Sequence, residues 1–164
     1  MHLLRPYRDG DFTDLLEIIN AAAEAYRGVI PADRWHEPYM PAESLAAEIG
    51  AGVGFWICEV DGAVSGVMGI QPVRDVELIR HAYVRPGLQR GGVGTALLRH
   101  LCARASHPLL VGTWRDATWA IDFYRRNGFD LASPERARQL LRTYWSIPER
   151  QIDTSVVLEL RRAN

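Results

Sequence analysis

Lysine is absent from this chain of 164 residues; all 19 basic side chains other than histidine are arginine. A P-loop, which requires Gly-Lys-Ser/Thr, is therefore excluded. Cysteine is scarce as well. Cys58 and Cys102 cannot build a disulfide framework, and neither stands at metal-ligand spacing. Both lie in apolar stretches and read as small core residues, so no metal site is expected. Positive charge is not in excess: the formal net charge of -1 argues against a nucleic-acid footprint. No apolar run approaches the ~20 residues of a membrane span, and the first residues lack the basic and apolar regions of a secretion signal. A cytoplasmic protein with neither nucleic acid nor membrane as partner is the expectation. Repeats and low-complexity linkers are missing too. The 48% hydrophobic content is ordinary for a globular protein, and the length suits one domain over residues 1–164 with its own core.

What is present concentrates between Val84 and Leu101. An apolar run ends at Val84, and a loop follows with Gly87, Gly91, Gly92 and Gly94. The chain then turns helical, with Val93, Leu97 and Leu101 on one stripe. Strand, glycine loop and helix in that order build an anion site. The first helical amides lack partners, the dipole favours negative charge there, and glycine lets the backbone approach a phosphate. Arg85 and Arg90 add positive charge nearby. By itself such a loop is as often only a tight turn. The spacing is not that of a dinucleotide fingerprint.

Gln89-Arg90-Gly91-Gly92-Val93-Gly94 resembles the Gln/Arg-x-x-Gly-x-Gly/Ala motif of the GNAT acetyltransferases. Downstream, Ala117-Thr-Trp-Ala120-Ile-Asp-Phe123-Tyr124-Arg-Arg-Asn127-Gly128-Phe129 is similar to the Ala-x-x-Phe-Tyr-x-x-x-Gly-Phe segment that closes the cofactor site in that family. The resemblance extends from Leu3 to about Leu160. It implies an acetyl-coenzyme A-dependent N-acetyltransferase. One departure is visible: Ala117 stands where the family often has asparagine, so a contact to the pantetheine arm is lost or passes to Asp116 or Thr118.

The rest of the chain yields to local signals. Leu3–Arg5 reads as a strand, and Asp9 or Asp11 as the cap of a helix reaching about Tyr26. A loop rich in aromatics and proline follows from Gly28 to Pro41, then a helix to Gly50. Asp61-Gly62 between apolar runs signals a hairpin joining Phe55–Val60 to Ala63–Val73. Gly66 and Gly69 suggest bulges or close backbone approach. Val76–Val84 is the next strand. Strict alternation puts Glu77, Ile79, His81 and Tyr83 on one face, and Leu78, Arg80, Ala82 and Val84 on the other. So many polar residues on a central strand imply that one face meets a polar cavity. Leu109–Trp114 is its parallel neighbour through a right-handed crossover. A helix over Ala117–Arg126, a short strand at Phe129–Ala132, a helix capped by Ser133 and a strand at Thr154–Leu160 complete the chain. The expected fold is α/β: a mixed, mostly antiparallel sheet with one parallel βαβ unit and helices on both faces, which is also the architecture the resemblance implies.

By the resemblance, Gln89, Arg90, Gly91, Gly92, Val93, Gly94 and Thr95 cradle the pyrophosphate of coenzyme A. Ala82, Tyr83 and Val84 face the pantetheine arm and thioester, and Ala117, Ala120, Phe123 and Tyr124 close the site. Tyr124 matches the family's thiolate-protonating tyrosine; a core tyrosine with a satisfied hydroxyl is the alternative. The amine must also lose a proton, since an ammonium of pKa ~10 is no nucleophile. His81 titrates in a useful range and Glu77 accompanies it, although a lone strand histidine is more often structural. Tyr26, Trp35, His36, Tyr39 and Trp114 are candidates to meet the acceptor, the loop aromatics either lining a pocket or packing beneath the loop. Trp119 and the segment Tyr144–Pro148 are equally open between pocket wall and core. The expected partner is a small-molecule amine, with a homodimer allowed for. The rival readings are a non-catalytic acyl-coenzyme A sensor and a protein N-terminal or lysine acetyltransferase.

Overall fold

The computed structural model describes residues 1–162, so the last two residues of the expected 1–164 domain lie outside it. Seven strands form one sheet in the order β1-β2-β3-β4-β5-β7-β6. They are β1 (His2–Pro6), β2 (Gly54–Val60), β3 (Ala63–Val73), β4 (Val76–Val84), β5 (Leu109–Trp114), β6 (Phe129–Leu131) and β7 (Ser155–Leu160). Every pairing is antiparallel except β4 with β5. The expected mixed sheet with a single parallel unit is what the structure shows.

Among the described residues six α-helices cover the sheet: α1 (Phe12–Ala23), α2 (Ala42–Gly50), α3 (Val93–Arg104), α4 (Thr118–Arg126), α5 (Pro134–Tyr144) and the short α6 (Glu149–Asp153). The first two bury Leu15, Ile18, Ile19 and Leu45 against Phe55, Ile57 and Val67. On the opposite face α3 buries Val93, Leu97 and Leu101 near Met68 and Ile79, and Ala120 and Tyr124 of α4 join the same cluster. A third cluster sets Ala137 and Leu141 of α5 and Ile152 of α6 against Leu78, Leu110 and Val157. The apolar stripes read from the sequence thus become the interfaces that fix each helix.

Local signals act as expected at several joints. Asp61 and Gly62 both take positive φ (52° and 80°), as a two-residue type I′ hairpin requires. Ser133 caps α5 by accepting the Arg136 amide at 3.2 Å, with Pro134 in the first turn. Asp11 behaves differently. It occupies the N-cap position of α1 without capping it. Its carboxylate accepts instead from Arg5 (2.8 Å at each oxygen) and from the Arg8 amide. The charged pair outcompetes the neutral amides of the helix.

The irregularity that matters lies in β4. Opposite β3, two steps from Val67 to Gly69 match three steps from Tyr83 to Arg80. The extra residue sits at His81–Ala82, and His81 has φ 52°, the left-handed region. This is a β-bulge, which re-aims the side chains beyond it. Gly69 lies across from it, and a Cβ there would sit 2.9 Å from the Arg80 carbonyl oxygen. The close approach read from Gly69 is therefore real. At Gly66 a side chain would collide with Val93, which lets α3 press directly on β3.

The bulge corrects the alternation expected for β4. Arg80 and His81 both reach Glu48 of α2. Ile79, Ala82 and Val84 join the α3 cluster, whereas Tyr83 packs with α1 and α2. Glu77 parts from His81: its carboxylate accepts the amides of Ser106 and His107 in the loop after α3. Glu77 thus secures a crossover loop and is not brought to the site.

Candidate active site

The parallel partners β4 and β5 pair only from Glu77–Ile79 with Leu109–Val111. Beyond that point they part, while β5 continues to pair with β7 as far as Trp114. Parting strands open a wedge into the sheet, and two cavities occupy it.

The outer cleft, of about 580 Å³, runs between the end of α1 (Ala22, Ala25, Tyr26) and α4 (Trp119, Ala120, Phe123, Tyr124). Its floor is Met68 with Ala82, Tyr83 and Val84, and its far end is Gln89, Arg90, Gly94 and Thr95, with Arg126 at the rim. No side chain caps α3, so its first-turn amides are available to an anion. Gly92 supplies the left-handed turn into the helix (φ 78°). A Cβ on Gly94 would already be in contact with Phe123 and Val84, at 3.4 and 3.5 Å. Gln89 pins the loop by accepting the Gly87 amide at 2.8 Å. Arg90 and Arg126 line the cleft free of any ion pair among the described residues, whereas Arg85 is engaged by Glu17 and the Val64 carbonyl. The charge credited to Arg85 therefore belongs to Arg126. Val93 is core, Gly91 and Gly92 are exposed in the loop, and Ala117 is fully buried at the start of α4. Neither Asp116 nor Thr118 lines the cleft to replace the missing asparagine. A cradle of unpaired amides and two free guanidinium groups fits a phosphate-bearing ligand.

The inner pocket, of about 180 Å³, lies on the other side of the same strand. Arg80 and His81 line it together with Tyr39, Thr113, Trp114, Trp145, Ile147, Gln151 and Ser155. Tyr26, Ala82, Tyr83 and Tyr124 line both cavities, so the two meet at the bulge. Tyr124 is 6% exposed, and its hydroxyl hydrogen-bonds to no described residue. Burial, and secondarily Tyr26, raises its pKa. Burial also raises Tyr83 and Tyr39, whose hydroxyls meet at 3.2 Å, and lifts Tyr26 to about 12. The phenols are therefore neutral donors. Among the described residues no Asp or Glu lines the pocket, so histidine is the one side-chain type among them there with acid–base chemistry near neutrality.

Among the acceptor candidates, Tyr26, Tyr39 and Trp114 line the inner pocket. Trp35 and His36 do not. The Trp35 ring is held outside by Arg27 (4.6 Å over the ring), by Glu37, which accepts its indole N–H at 2.8 Å, and by Tyr39; His36 is exposed. Trp145 and Ile147, from the ambiguous segment after α5, both line the pocket and pack against the core cluster of Leu110, Leu141 and Val157; Trp145 rests on Gly112 of β5, where a Cβ would stand only 3.2 Å from its ring. Trp119 faces the outer cleft, beside Tyr26 at 5.1 Å. Thr113 and Gln151 carry no sequence signal that would have placed them here; Arg80 is signalled only as one of the polar residues of β4 that imply a polar cavity. Within the described residues no helix is long and apolar enough to cross a membrane, and no cluster of three or more potential metal ligands occurs.

A profile of the acetyltransferase (GNAT) domain matches residues 51–131. Comparison with curated proteins gives no match. Among solved structures, PaiA N-acetyltransferase from Thermoplasma acidophilum, in complex with coenzyme A, is 16% identical over 99% of both chains, with a TM-score of 0.74. A ribosomal-protein-alanine N-acetyltransferase from Brucella melitensis is 25% identical over 80% of this chain and 86% of its own, with a TM-score of 0.63. N-acetylglutamate synthase from Neisseria gonorrhoeae, complexed with coenzyme A and N-acetyl-glutamate, is 22% identical with a TM-score of 0.66; the match covers 99% of this chain and 36% of that one.

Proposed function

The chain belongs to the GNAT acetyltransferase superfamily, and from that premise we propose that it moves an acetyl group from acetyl-coenzyme A to the primary amine of a small molecule. The observation that carries the reading is the meeting of a cleft suited to phosphate and a smaller polar pocket at Ala82, Tyr83 and Tyr124. Acetyl-coenzyme A, when bound, supplies an acetyl group on a thioester. The amides of the first α3 turn, Arg90 and Arg126 hold its phosphates. Small side chains at Ala22, Ala25 and Ala120 leave room for the pantetheine arm along β4. His81 takes the proton that an ammonium must lose to become a nucleophile. Tyr124, kept protonated by burial, gives a proton to the departing sulfur from Oη.

Pocket size supports a small acceptor. Sites for drug-sized ligands span ~300–1,000 Å³, and the inner pocket has about 180 Å³. The absence of any carboxylate in its lining disfavours an acceptor with a second cationic group. The test is thiol release from acetyl-coenzyme A across a library of small amines, with peptides bearing free N-termini in parallel. Turnover with compact monoamines is expected. Turnover with peptides alone would overturn the small-molecule assignment. Coenzyme A binding without any transfer would make the protein a sensor.

A further inference from the structure

Arg80 and His81 are neighbours on β4, and neighbours on a regular strand point to opposite faces. Here both side chains reach one atom. Glu48 Oε1 lies 3.0 Å from Arg80 Nη2 and 2.8 Å from His81 Nε2. Only the bulge, with His81 at φ 52°, allows this. Glu48 itself lies outside the lining of the inner pocket, which Arg80 and His81 both face. We propose that Glu48 is a positioning residue for deprotonation of the acceptor: it fixes His81 as the Nε2–H tautomer, leaving Nδ1 to take the proton from the amine.

The chemistry follows from the partners. An ionised carboxylate only accepts hydrogen bonds, and a neutral imidazole has one N–H and one lone pair. With Nε2 facing Glu48, the proton must sit on Nε2 and the lone pair on Nδ1. Burial pushes the Glu48 carboxyl up, but the His81 hydrogen bond, with the charges of His81 and Arg80, outweighs it and holds the group below its usual range. Arg80 is itself tethered by Gln71 at 2.9 Å. Around the His81 ring stand Glu48 from α2, Arg80 and Tyr83 from β4, and Phe55 from β2. The remaining titratable groups of the pocket, Tyr26, Tyr39 and Tyr124, stay neutral. When the acceptor's N–H bond breaks, its electron pair stays on nitrogen and the proton passes to Nδ1. The imidazolium so formed faces a carboxylate, which stabilises it.

This inference rests on the acetyltransferase reading, and nitrogen-15 NMR of histidine-labelled protein separates the two. In the unmodified protein, neutral His81 should show the Nε2–H tautomer. In Glu48→Gln the Nε2–H preference should weaken, because a side-chain amide can donate to the ring as well as accept from it. kcat/KM for the acceptor should fall about tenfold or more, with KM for acetyl-coenzyme A unchanged, and His81→Gln should lose at least as much. An Nδ1–H tautomer in the unmodified protein overturns the proposal even if Glu48→Gln fails to fold. So does a Glu48→Gln protein whose His81 keeps its full Nε2–H preference, or a His81→Gln enzyme with the native kcat/KM for the acceptor. Failure to acetylate any amine removes the acetyltransferase reading alone, because the NMR comparison needs no substrate.

Discussion

Replacing Tyr124 by phenylalanine removes one hydroxyl at the point where the two cavities meet. Its structural consequences should be slight. The hydroxyl has no hydrogen-bond partner among the described residues, so none is orphaned. The ring keeps its contacts with Phe123 (5.1 Å between centroids) and Phe129 (5.6 Å). The stability change should stay within about 1 kcal/mol, a shift in Tm of at most ~4 °C for a chain of this size. Catalysis should suffer far more. A positioned general acid contributes ~10²- to 10⁴-fold, so kcat should fall at least ~100-fold, or about 2.7 kcal/mol of barrier. Coenzyme A affinity by calorimetry should stay within about twofold, since the loop amides, Arg90 and Arg126 are untouched. Burial raises the Tyr124 pKa, so the acid remains protonated through the alkaline range. Any high-pH limb of the native rate profile should therefore persist in the variant. The assay is thiol release under conditions where chemistry, not product release, limits turnover. A Tyr124→Phe enzyme working at the native rate would falsify the acid role and leave Tyr124 as a packing residue.

Gly92→Asp places a carboxylate at the start of α3 in a left-handed conformation (φ 78°) that aspartate tolerates better than most residues. Coenzyme A binding should weaken at least tenfold, about 1.4 kcal/mol, and unchanged calorimetric affinity in a folded variant would remove the phosphate site from this loop. Trp145→Phe should raise KM for the acceptor several-fold, on the order of 1 kcal/mol, whereas Trp35→Ala should leave it unaltered; the opposite ranking in steady-state kinetics would return the acceptor to the Trp35 loop. Asp11→Asn breaks the bidentate pair with Arg5, both side chains being largely buried, but Glu59 still faces Arg5 at 3.2 Å, so the cost at neutral pH should be about 1–2 kcal/mol. The Arg5 hydrogen bond, opposed by burial and aided by the Arg8 amide, depresses the Asp11 pKa. Its contribution is thus full above the unfolded value of ~3.9 and lost as pH falls through the lower folded value. The native-minus-variant gap in Tm should accordingly be constant near neutrality and close below about pH 4; a gap that persists in stronger acid would contradict the ionic origin.

Much of this protein is written in short-range chemistry. The Asp61-Gly62 hairpin, the Ser133-Pro134 helix start, the glycine loop before α3 and the Ala120–Phe129 segment each act through residues a few positions apart, so a linear reading captures them. The strand and helix order then dictates the mixed sheet, because a crossover from β4 through α3 to β5 has one favoured hand. The site's chemistry was decided elsewhere. A single extra residue in β4 is invisible to a pattern of alternation, since it is fixed by pairing with β3 across Gly69. That bulge separated Glu77 from His81 and turned His81 toward Glu48, 33 residues earlier in the chain. It also left Ala82 and Tyr83 shared by both cavities. Trp145 and Gln151 enter the pocket because α5 and α6 pack on β4, β5 and β7, whereas Arg27, Glu37 and Tyr39 hold Trp35 outside it. The chain's own residues determine which local elements form; which side chains from distant elements face one another depends on strand register and helix packing, and those exist only once the sheet has assembled.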